Sequence, residues 1–160
     1  MRPSNTTETR SEPPQVKVLC LDLEGTLIST AVSQFPRPFL REFLDGCRQL
    51  FERIAIYTSV PEQCFRTIAA LLVEEGAAPT WFLDVEYVEW HGPIKDLAFV
   101  PEAAESEILL VDDTPSVVHP DQRARWIPVV PFDAPYLLSD DELMRSLQEL
   151  ERRTCGRPTS

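Results

Sequence analysis

The feature that most constrains this chain is an apolar run that ends abruptly in two carboxylates and a glycine, over residues 16–27 (VKVLCLDLEGTL). A short, continuous apolar run bounded by a turn residue is typical of a buried strand. Asp22 and Glu24 would lie together at the mouth of this strand, and Gly25 would allow a sharp turn. A protein keeps two neighbouring, partly buried carboxylates mainly to hold a cation or to do chemistry, although a solvated acidic turn has the same local sequence.

The composition indicates one globular domain with a strongly negative charge. The chain has 160 residues, 43% of them apolar, with 15 basic and 26 acidic side chains and a formal charge of −11. A field of this sign repels nucleic acids and anionic membrane surfaces, so neither is predicted as a partner. A phosphorylated substrate remains compatible with the charge, because a bound divalent metal ion can reverse the local sign.

The cysteines and the chain ends predict a protein of the reducing cytoplasm. No cysteine falls at a zinc-ligand spacing, and three lie in apolar or amphipathic segments where buried free thiols are expected: Cys20, Cys47 and Cys64. Residues 1–14 lack the apolar centre of a signal peptide and are predicted to be a disordered tail, and 152–160 a polar C-terminal tail. No apolar stretch reaches the roughly 18 residues that a membrane-spanning helix needs.

Strand-like and helix-like segments alternate along the rest of the chain. Buried-type apolar runs predict strands over 16–21, 53–58, 107–111 and 126–130, and residues 81–83 and 85–90 are interpreted as further extended chain. Apolar residues spaced three and four apart predict helices that begin at Arg37, Pro61 and about Asp140. This alternation predicts an α/β domain over residues 15–151, Rossmann-like with three α/β/α layers, a central mainly parallel sheet and no large cap domain.

Polar residues follow three of the predicted strands: Asp22 and Glu24, Thr58 and Ser59, and Asp112 and Asp113. The carboxyl ends of parallel strands lie along one edge of the sheet, where such folds bind their ligands, and Lys95 lies in a segment that enters beside them. Each cluster alone is typical of a turn or a solvated charge. Together they predict one site.

The predicted site has the side chains that phosphoryl transfer needs. Clustered carboxylates bind Mg²⁺, and a carboxylate can attack phosphorus to form an aspartyl-phosphate. A second carboxyl group can protonate the leaving oxygen and then deprotonate the hydrolytic water. A hydroxyl such as that of Thr58 and the ammonium of Lys95 can hold the phosphoryl oxygens.

The order of these clusters separates two phosphate-handling families. A receiver domain of two-component signalling has its acidic pair on the first strand, whereas only residues 114–160 follow Asp113 here. Asp-x-acid-Gly-Thr, then a strand-end Thr, a Lys and an Asp-Asp pair, resembles the haloacid dehalogenase-like (HAD) phosphohydrolase superfamily. Residues 37–44 (RPFLREFL) resemble the R-P-x-L-x-x-F-L stretch of its NIF-like branch, which contains phosphatases acting on the RNA polymerase II C-terminal domain.

The resemblance implies a role for each site residue. Asp22 would be the nucleophile and a metal ligand. Glu24 would be the acid/base, with its backbone carbonyl on Mg²⁺. The phosphoryl group would be held by Thr58, Ser59 and Lys95. One of Asp112 and Asp113 would bind Mg²⁺ and the other would orient Lys95 or a metal-bound water, and the sequence leaves open which does which.

Glu24 departs from the family pattern, since most relatives have Asp there. The extra methylene moves the carboxyl group by about 1 Å, which matters in a catalytic site.

The predicted function is a Mg²⁺-dependent phosphomonoesterase that acts on a phosphoprotein segment or a small ester. The alternative is a catalytically weak phosphate-binding or scaffolding relative. Arg37 is interpreted as a residue of the helix start or of tail packing, not of catalysis, and no oligomeric state is predicted.

Overall fold

A five-stranded, all-parallel sheet forms the centre of the protein. The computed structural model describes residues 15–155. The strands are β1 Val18–Leu21, β2 Arg53–Ile56, β3 Glu86–Tyr87, β4 Ile108–Asp112 and β5 Trp126–Pro128. They are arranged in the order β3-β2-β1-β4-β5, with β5 at an edge as Pro128 predicts. The predicted tail 1–14 and the last residues of the predicted C-terminal tail, 156–160, lie outside the described residues.

Alternate residues of each strand build two different cores. In β1, Leu19 and Leu21 face the larger core, which is completed by α1 Leu40–Leu50, α2 Glu62–Glu74 and α3 Glu142–Thr154. Val18 and Cys20 face the opposite core, which is covered by the segments around Val88, Leu97 and Val118. Since successive side chains of a strand point to opposite faces, the continuous apolar run of β1 is what burial on both faces requires. The predicted three-layer α/β fold is confirmed.

Several local predictions are wrong where tertiary packing overrides the local pattern. The first helix begins at Leu40 and not at Arg37, because Phe39 has a positive φ of 67° that ends any helical continuation towards the N-terminus. Residues 81–83, predicted as extended, lie in a 3₁₀-helix over Thr80–Asp84, and the ring centres of Phe82 and Phe65 are 5.6 Å apart in an edge contact. Of the extended chain predicted over 85–90, only the two residues of β3 belong to the sheet.

The prediction of a buried thiol is wrong for Cys64. Cys20 and Cys47 are buried as expected, but Cys64 is exposed on α2. The buried stripe of that helix consists of Phe65, Ile68, Ala69 and Leu72, and Cys64 lies outside it. Among residues 15–155, no helix is both long and apolar enough to cross a membrane.

The sheet order determines which strand ends meet. The strands β2, β1 and β4 are adjacent, and their pairing is in parallel register, with Leu21 opposite Ile56 and Val111. Their carboxyl ends therefore lie side by side at one edge of the sheet. The polar residues that follow them are brought to that edge by backbone pairing alone.

Candidate active site

The centre of the site is the ammonium group of Lys95, which lies between two aspartates. Lys95 Nζ donates to Asp22 Oδ1 at 2.9 Å and to Asp112 Oδ2 at 2.5 Å. All three side chains are buried, with Asp22 the most accessible at 7%. Asp22 follows β1 and Asp112 ends β4, so the lysine joins the ends of two neighbouring strands.

Lys95 is positioned by its backbone and by aromatic rings. Its N–H donates to the carbonyl of Val117 at 2.8 Å, which holds the residue beside the loop that follows β4. Its ammonium lies 5.2 Å from the ring centre of Trp90 and 5.9 Å from that of Tyr57. An ammonium over an aromatic face is stabilised by the ring quadrupole, most strongly where water is excluded. The rings therefore help to keep a charged lysine in a buried position.

The hydroxyl of Thr26 fixes the second oxygen of Asp22. Thr26 Oγ1 donates to Asp22 Oδ2 at 2.9 Å and lies 3.4 Å from Asp113 Oδ1. Asp22 thus has one oxygen on an ammonium and the other on a hydroxyl, so its carboxylate plane is held from both sides. Asp113 is half-buried, and its Oδ1 also accepts from the hydroxyl of Thr114 at 3.1 Å.

Gly25 allows the loop after β1 to approach Asp113. Gly25 has a φ of +75°, a region that side-chain-bearing residues rarely adopt. A Cβ at this position would lie 2.3 Å from Asp113 Oδ2, far inside van der Waals contact. The glycine is therefore needed both for the turn and for the place of this carboxylate.

We expect Gly25→Ala to displace Asp113 and to lower the unfolding free energy by about 1–3 kcal/mol, because backbone strain and a side-chain clash add. Affinity for a divalent cation, measured by calorimetric titration, should fall with it. Gly76→Ala is the matched control: Gly76 has a φ of +76°, but the nearest atom to its Cβ is Arg41 Nη1 at 4.0 Å. Equal losses of stability and of cation affinity in the two variants would show that the clash with Asp113 has no effect.

The charges of the site are compatible with a bound divalent cation. Asp22, Asp112 and Asp113 each offer a carboxylate oxygen, and these oxygens lie within 4.8 Å of one another. Three carboxylates and one ammonium leave a formal charge of −2. Carboxylate oxygens are the ligands that Mg²⁺ takes, so the donor set fits this ion in both chemistry and charge.

The ionisation of the buried groups is consistent with this charge imbalance. Burial raises the pKa of Asp22, and the carboxylate of Asp112 adds to the effect while Lys95 opposes it. Burial likewise raises the pKa of Asp112 against the opposing charge of Lys95. Burial works against the charged form of Lys95, but Asp22 and Asp112 outweigh it and raise the lysine pKa. The lysine therefore stays an ammonium that donates to both aspartates.

Thr58 and Ser59 lie at the neighbouring strand end, as predicted. The hydroxyl of Thr58 is buried and accepts from the N–H of Val60 at 3.1 Å, which leaves its own proton to donate. Both residues line an open cavity of about 350 Å³ whose other walls are Tyr87, Trp90, Gly92 and Pro93. Trp90 connects this cavity to the ammonium of Lys95.

Glu24 occupies the edge of the site. Its Oε2 accepts from the backbone N–H of Ala31 at 2.7 Å, in the loop that precedes α1. The carboxylate oxygens that cluster are those of Asp22, Asp112 and Asp113, and they do not include Glu24. The side chain of Glu24 therefore points towards the loop that precedes α1 and not towards the three clustered aspartates.

Three residues that support the site escaped the sequence analysis. Thr26 lies in the acidic motif and Trp90 in the extended segment 85–90, and neither has a predicted role of its own. Arg37 was assigned to the helix start, yet its side chain is fully buried and donates to the carbonyls of Gly25 and Thr26, both at 3.3 Å. The sequence signals for Arg37 are its place before Pro38 and in the R-P-x-L-x-x-F-L stretch, and neither indicates its partners, which are distant along the chain.

Comparisons with known proteins identify a family and a similar fold. The sequence model of a family described as NLI interacting factor-like phosphatase matches residues 17–156. No curated protein sequence matches the chain. Among solved structures, a variant of the fission yeast RNA polymerase II CTD phosphatase Fcp1 bound to beryllium fluoride has a similar fold, with a TM-score of 0.53 and 18% identity. The match covers 88% of this chain and 50% of the other, so the chain spans about half the length of that structure.

Proposed function

The chain belongs to the NLI interacting factor-like phosphatase family, within the HAD-type phosphatases, and on that premise we propose that it hydrolyses phosphomonoesters by transferring the phosphoryl group to Asp22. The observation that carries the proposal is the arrangement around this carboxylate. Asp22 is buried at the end of β1 with one oxygen on Lys95 and the other on Thr26. A carboxylate held in this way presents an oxygen in a fixed direction, which is what in-line attack needs.

The proposed reaction has two steps. A carboxylate oxygen of Asp22 forms a bond to phosphorus as the bond from phosphorus to the ester oxygen breaks, and Glu24 gives its proton to the departing oxygen. Water then attacks the phosphorus of the aspartyl-phosphate, and Glu24 takes a proton back as phosphate leaves and the Asp22 carboxylate is restored. For this role the Glu24 side chain has to exchange its bond to the N–H of Ala31 for the substrate oxygen.

Mg²⁺ is the proposed cofactor, and the hydrogen-bond partners of Asp112 and Asp113 indicate that these two aspartates have different roles. Both oxygens of Asp112 already have protein donors, Lys95 Nζ and the N–H of Thr114 at 2.9 Å. Asp113 is half-buried and receives only hydroxyl donors among the bonds of the described residues. Asp22 differs from Asp112 because its second oxygen accepts from a hydroxyl, that of Thr26, and not from a backbone N–H. We therefore assign Asp113, Asp22 and the Glu24 carbonyl to the metal, and Asp112 to the orientation of Lys95. When bound, the ion offsets the carboxylate charge and polarises the phosphoryl oxygens.

The phosphoryl group is proposed to lie between Asp22 and the end of β2. Lys95 neutralises charge that develops on its oxygens, and Thr58 donates its free hydroxyl proton, with Ser59 beside it. The leaving group then extends into the open cavity that Trp90 lines. Within residues 15–155 no inserted domain covers this edge of the sheet, and an uncovered site admits an extended phosphorylated protein segment. Such a segment is the proposed substrate class.

The rival function is a phosphate-binding domain with little turnover. One observation favours it: the acid/base position holds Glu24, whose carboxylate is bonded to the loop at Ala31. Both functions predict phosphate binding at Lys95 and Thr58, and they differ only in turnover.

The deciding experiment measures phosphate release from p-nitrophenyl phosphate by the metal-stripped chain, before and after Mg²⁺ is added. We expect release only with Mg²⁺, and we expect a phosphoserine peptide to be hydrolysed with a higher kcat/KM than the small ester. The reverse ranking would exclude the protein segment as substrate class. Phosphate binding by calorimetry without any release, across Mg²⁺ and Mn²⁺, would replace the proposed function by the rival.

A further inference from the structure

Arg37 is a fully buried cation with more partners than a helix start requires. It is 1% exposed, and its guanidinium makes a two-pronged pair with Asp140, with both N–O distances at 3.0 Å. Its Nη2 also donates to the carbonyl of Val130 at 2.7 Å. Burying an arginine is costly unless its donors are satisfied, and here Nε, Nη1 and Nη2 all have acceptors.

The remaining terminal nitrogen of Arg37, Nη1, contacts the loop that follows β1 and begins with Asp22, which we call the nucleophile loop. Nη1 donates to the carbonyls of Gly25 and Thr26, each at 3.3 Å. These peptide units lie directly beside the Thr26 hydroxyl that bonds Asp22 and beside the Gly25 position that abuts Asp113. Holding two successive carbonyls fixes the orientation of the Gly25–Thr26 backbone, and with it the Thr26 side chain.

The other partners of Arg37 belong to the segment that follows β5. Phe132 packs its ring 5.4 Å from the guanidinium and donates its N–H to the Gly25 carbonyl at 2.8 Å. Asp140 Oδ1 also accepts from the N–H of Glu142 at the start of α3. The guanidinium therefore joins the nucleophile loop to the C-terminal part of the domain, which is itself anchored by a helix.

We propose that Arg37 is a positioning residue for the phosphoryl transfer: it holds the Gly25–Thr26 backbone so that Thr26 orients Asp22. The inference rests on the proposed function. A planar, forked donor is needed, because one side chain serves a carboxylate and three carbonyls in different directions. A lysine has one nitrogen and cannot replace it.

The test combines kinetics with amide exchange in the full chain. In Arg37→Lys we expect kcat for p-nitrophenyl phosphate to fall by about tenfold or more with KM changed by less than about threefold, since misplacing a catalytic group costs rate and not ground-state binding. In Arg37→Ala the loss should be larger, and millimolar guanidinium should restore part of it. Hydrogen exchange at the amides of Leu27, Ile28 and Phe132 should accelerate in both variants and slow again with guanidinium.

Arg125→Ala is the matched control. Arg125 also clamps backbone carbonyls, those of Ser106 and Ile108, but at the opposite end of β4. It should destabilise the fold without changing kcat or the exchange of the nucleophile loop. Equal losses of kcat in Arg125→Ala and Arg37→Lys, or an unchanged kcat in a folded Arg37→Lys, would overturn the proposal.

Failure of the proposed function has a separate signature. If the wild type releases no phosphate, amide hydrogen exchange alone tests whether Arg37 holds the nucleophile loop. Unchanged exchange in Arg37→Lys would then overturn the proposed positioning role of Arg37. Asp140→Asn removes the negative charge that pairs with the guanidinium of Arg37 and keeps an oxygen acceptor, so it should accelerate hydrogen exchange less than the arginine variants do. If Arg37→Ala does not fold, Arg37→Lys and Asp140→Asn together provide the test.

Discussion

Replacing Asp22 by asparagine should lower the Mg²⁺-dependent kcat by about 1000-fold or more, because removing a covalent nucleophile abolishes the pathway that depends on it. The amide has the shape of the carboxylate and can still accept from Thr26, so the local packing is retained. What it loses is the oxygen that attacks phosphorus. The measurement is phosphate release from p-nitrophenyl phosphate at saturating Mg²⁺, with circular dichroism to establish that the variant is folded.

Asp45→Asn is the control for Asp22→Asn. Asp45 lies exposed on α1, with its carboxylate 3.9 Å from Arg41, and its removal should leave kcat within about twofold of the wild type. If Asp22→Asn retained a kcat within tenfold of the wild type, Asp22 would not be the nucleophile. The family membership would then stand, and the proposed covalent mechanism would not.

Asp22→Asn should also be more stable than the wild type in the absence of metal. Burial raises the pKa of Asp22 in the folded protein above that of the unfolded chain, so over the intervening pH range the folded state binds more protons. Stability of the metal-free wild type therefore falls as the pH rises through that range. With asparagine at this position Lys95 is left with Asp112 alone, and the excess of stability over the wild type should grow between about pH 5 and about pH 8.

The site could be predicted largely because its residues follow strands. Once β1, β2 and β4 are parallel neighbours, the residues after them have to meet, and a pattern of apolar runs is enough to find those ends. Asp22, Thr58 and Asp112 needed no knowledge of side-chain contacts. Lys95 was found through the order of the motifs, not through any periodicity of its own segment.

What could not be predicted depends on contacts between distant, irregular segments. The role of Arg37 follows from its hydrogen bonds to Thr26, Val130 and Asp140, and no local sequence pattern predicts these bonds. The face of the sheet opposite the α-helices is covered by residues 88–107 and 113–125, which form loops and 3₁₀ turns with no period to detect. The first helix begins after Phe39, whose positive φ of 67° no local sequence pattern predicts.

Lys95→Met should have the largest combined effect on stability and activity. It removes the ammonium between Asp22 and Asp112 and leaves buried carboxylates without their partner, which costs about 3–5 kcal/mol of unfolding free energy near pH 8 in metal-free buffer. The loss should shrink near pH 5, because the pKa values of both aspartates are raised and protonation removes the uncompensated charge. Mg²⁺ should restore part of the stability by binding the folded state.

The activity of Lys95→Met should fall by about 100-fold to 1000-fold even at saturating Mg²⁺, because the charge that offsets the developing phosphoryl charge is gone. Lys17→Met is the matched control: it changes the chain's other lysine, which is half-exposed and pairs with Glu107 at 3.2 Å. That variant should lose less than about 1 kcal/mol and keep its activity. A Lys95→Met protein whose loss of stability were small, or the same at both pH values, would mean that the buried aspartates do not depend on this lysine for their charge.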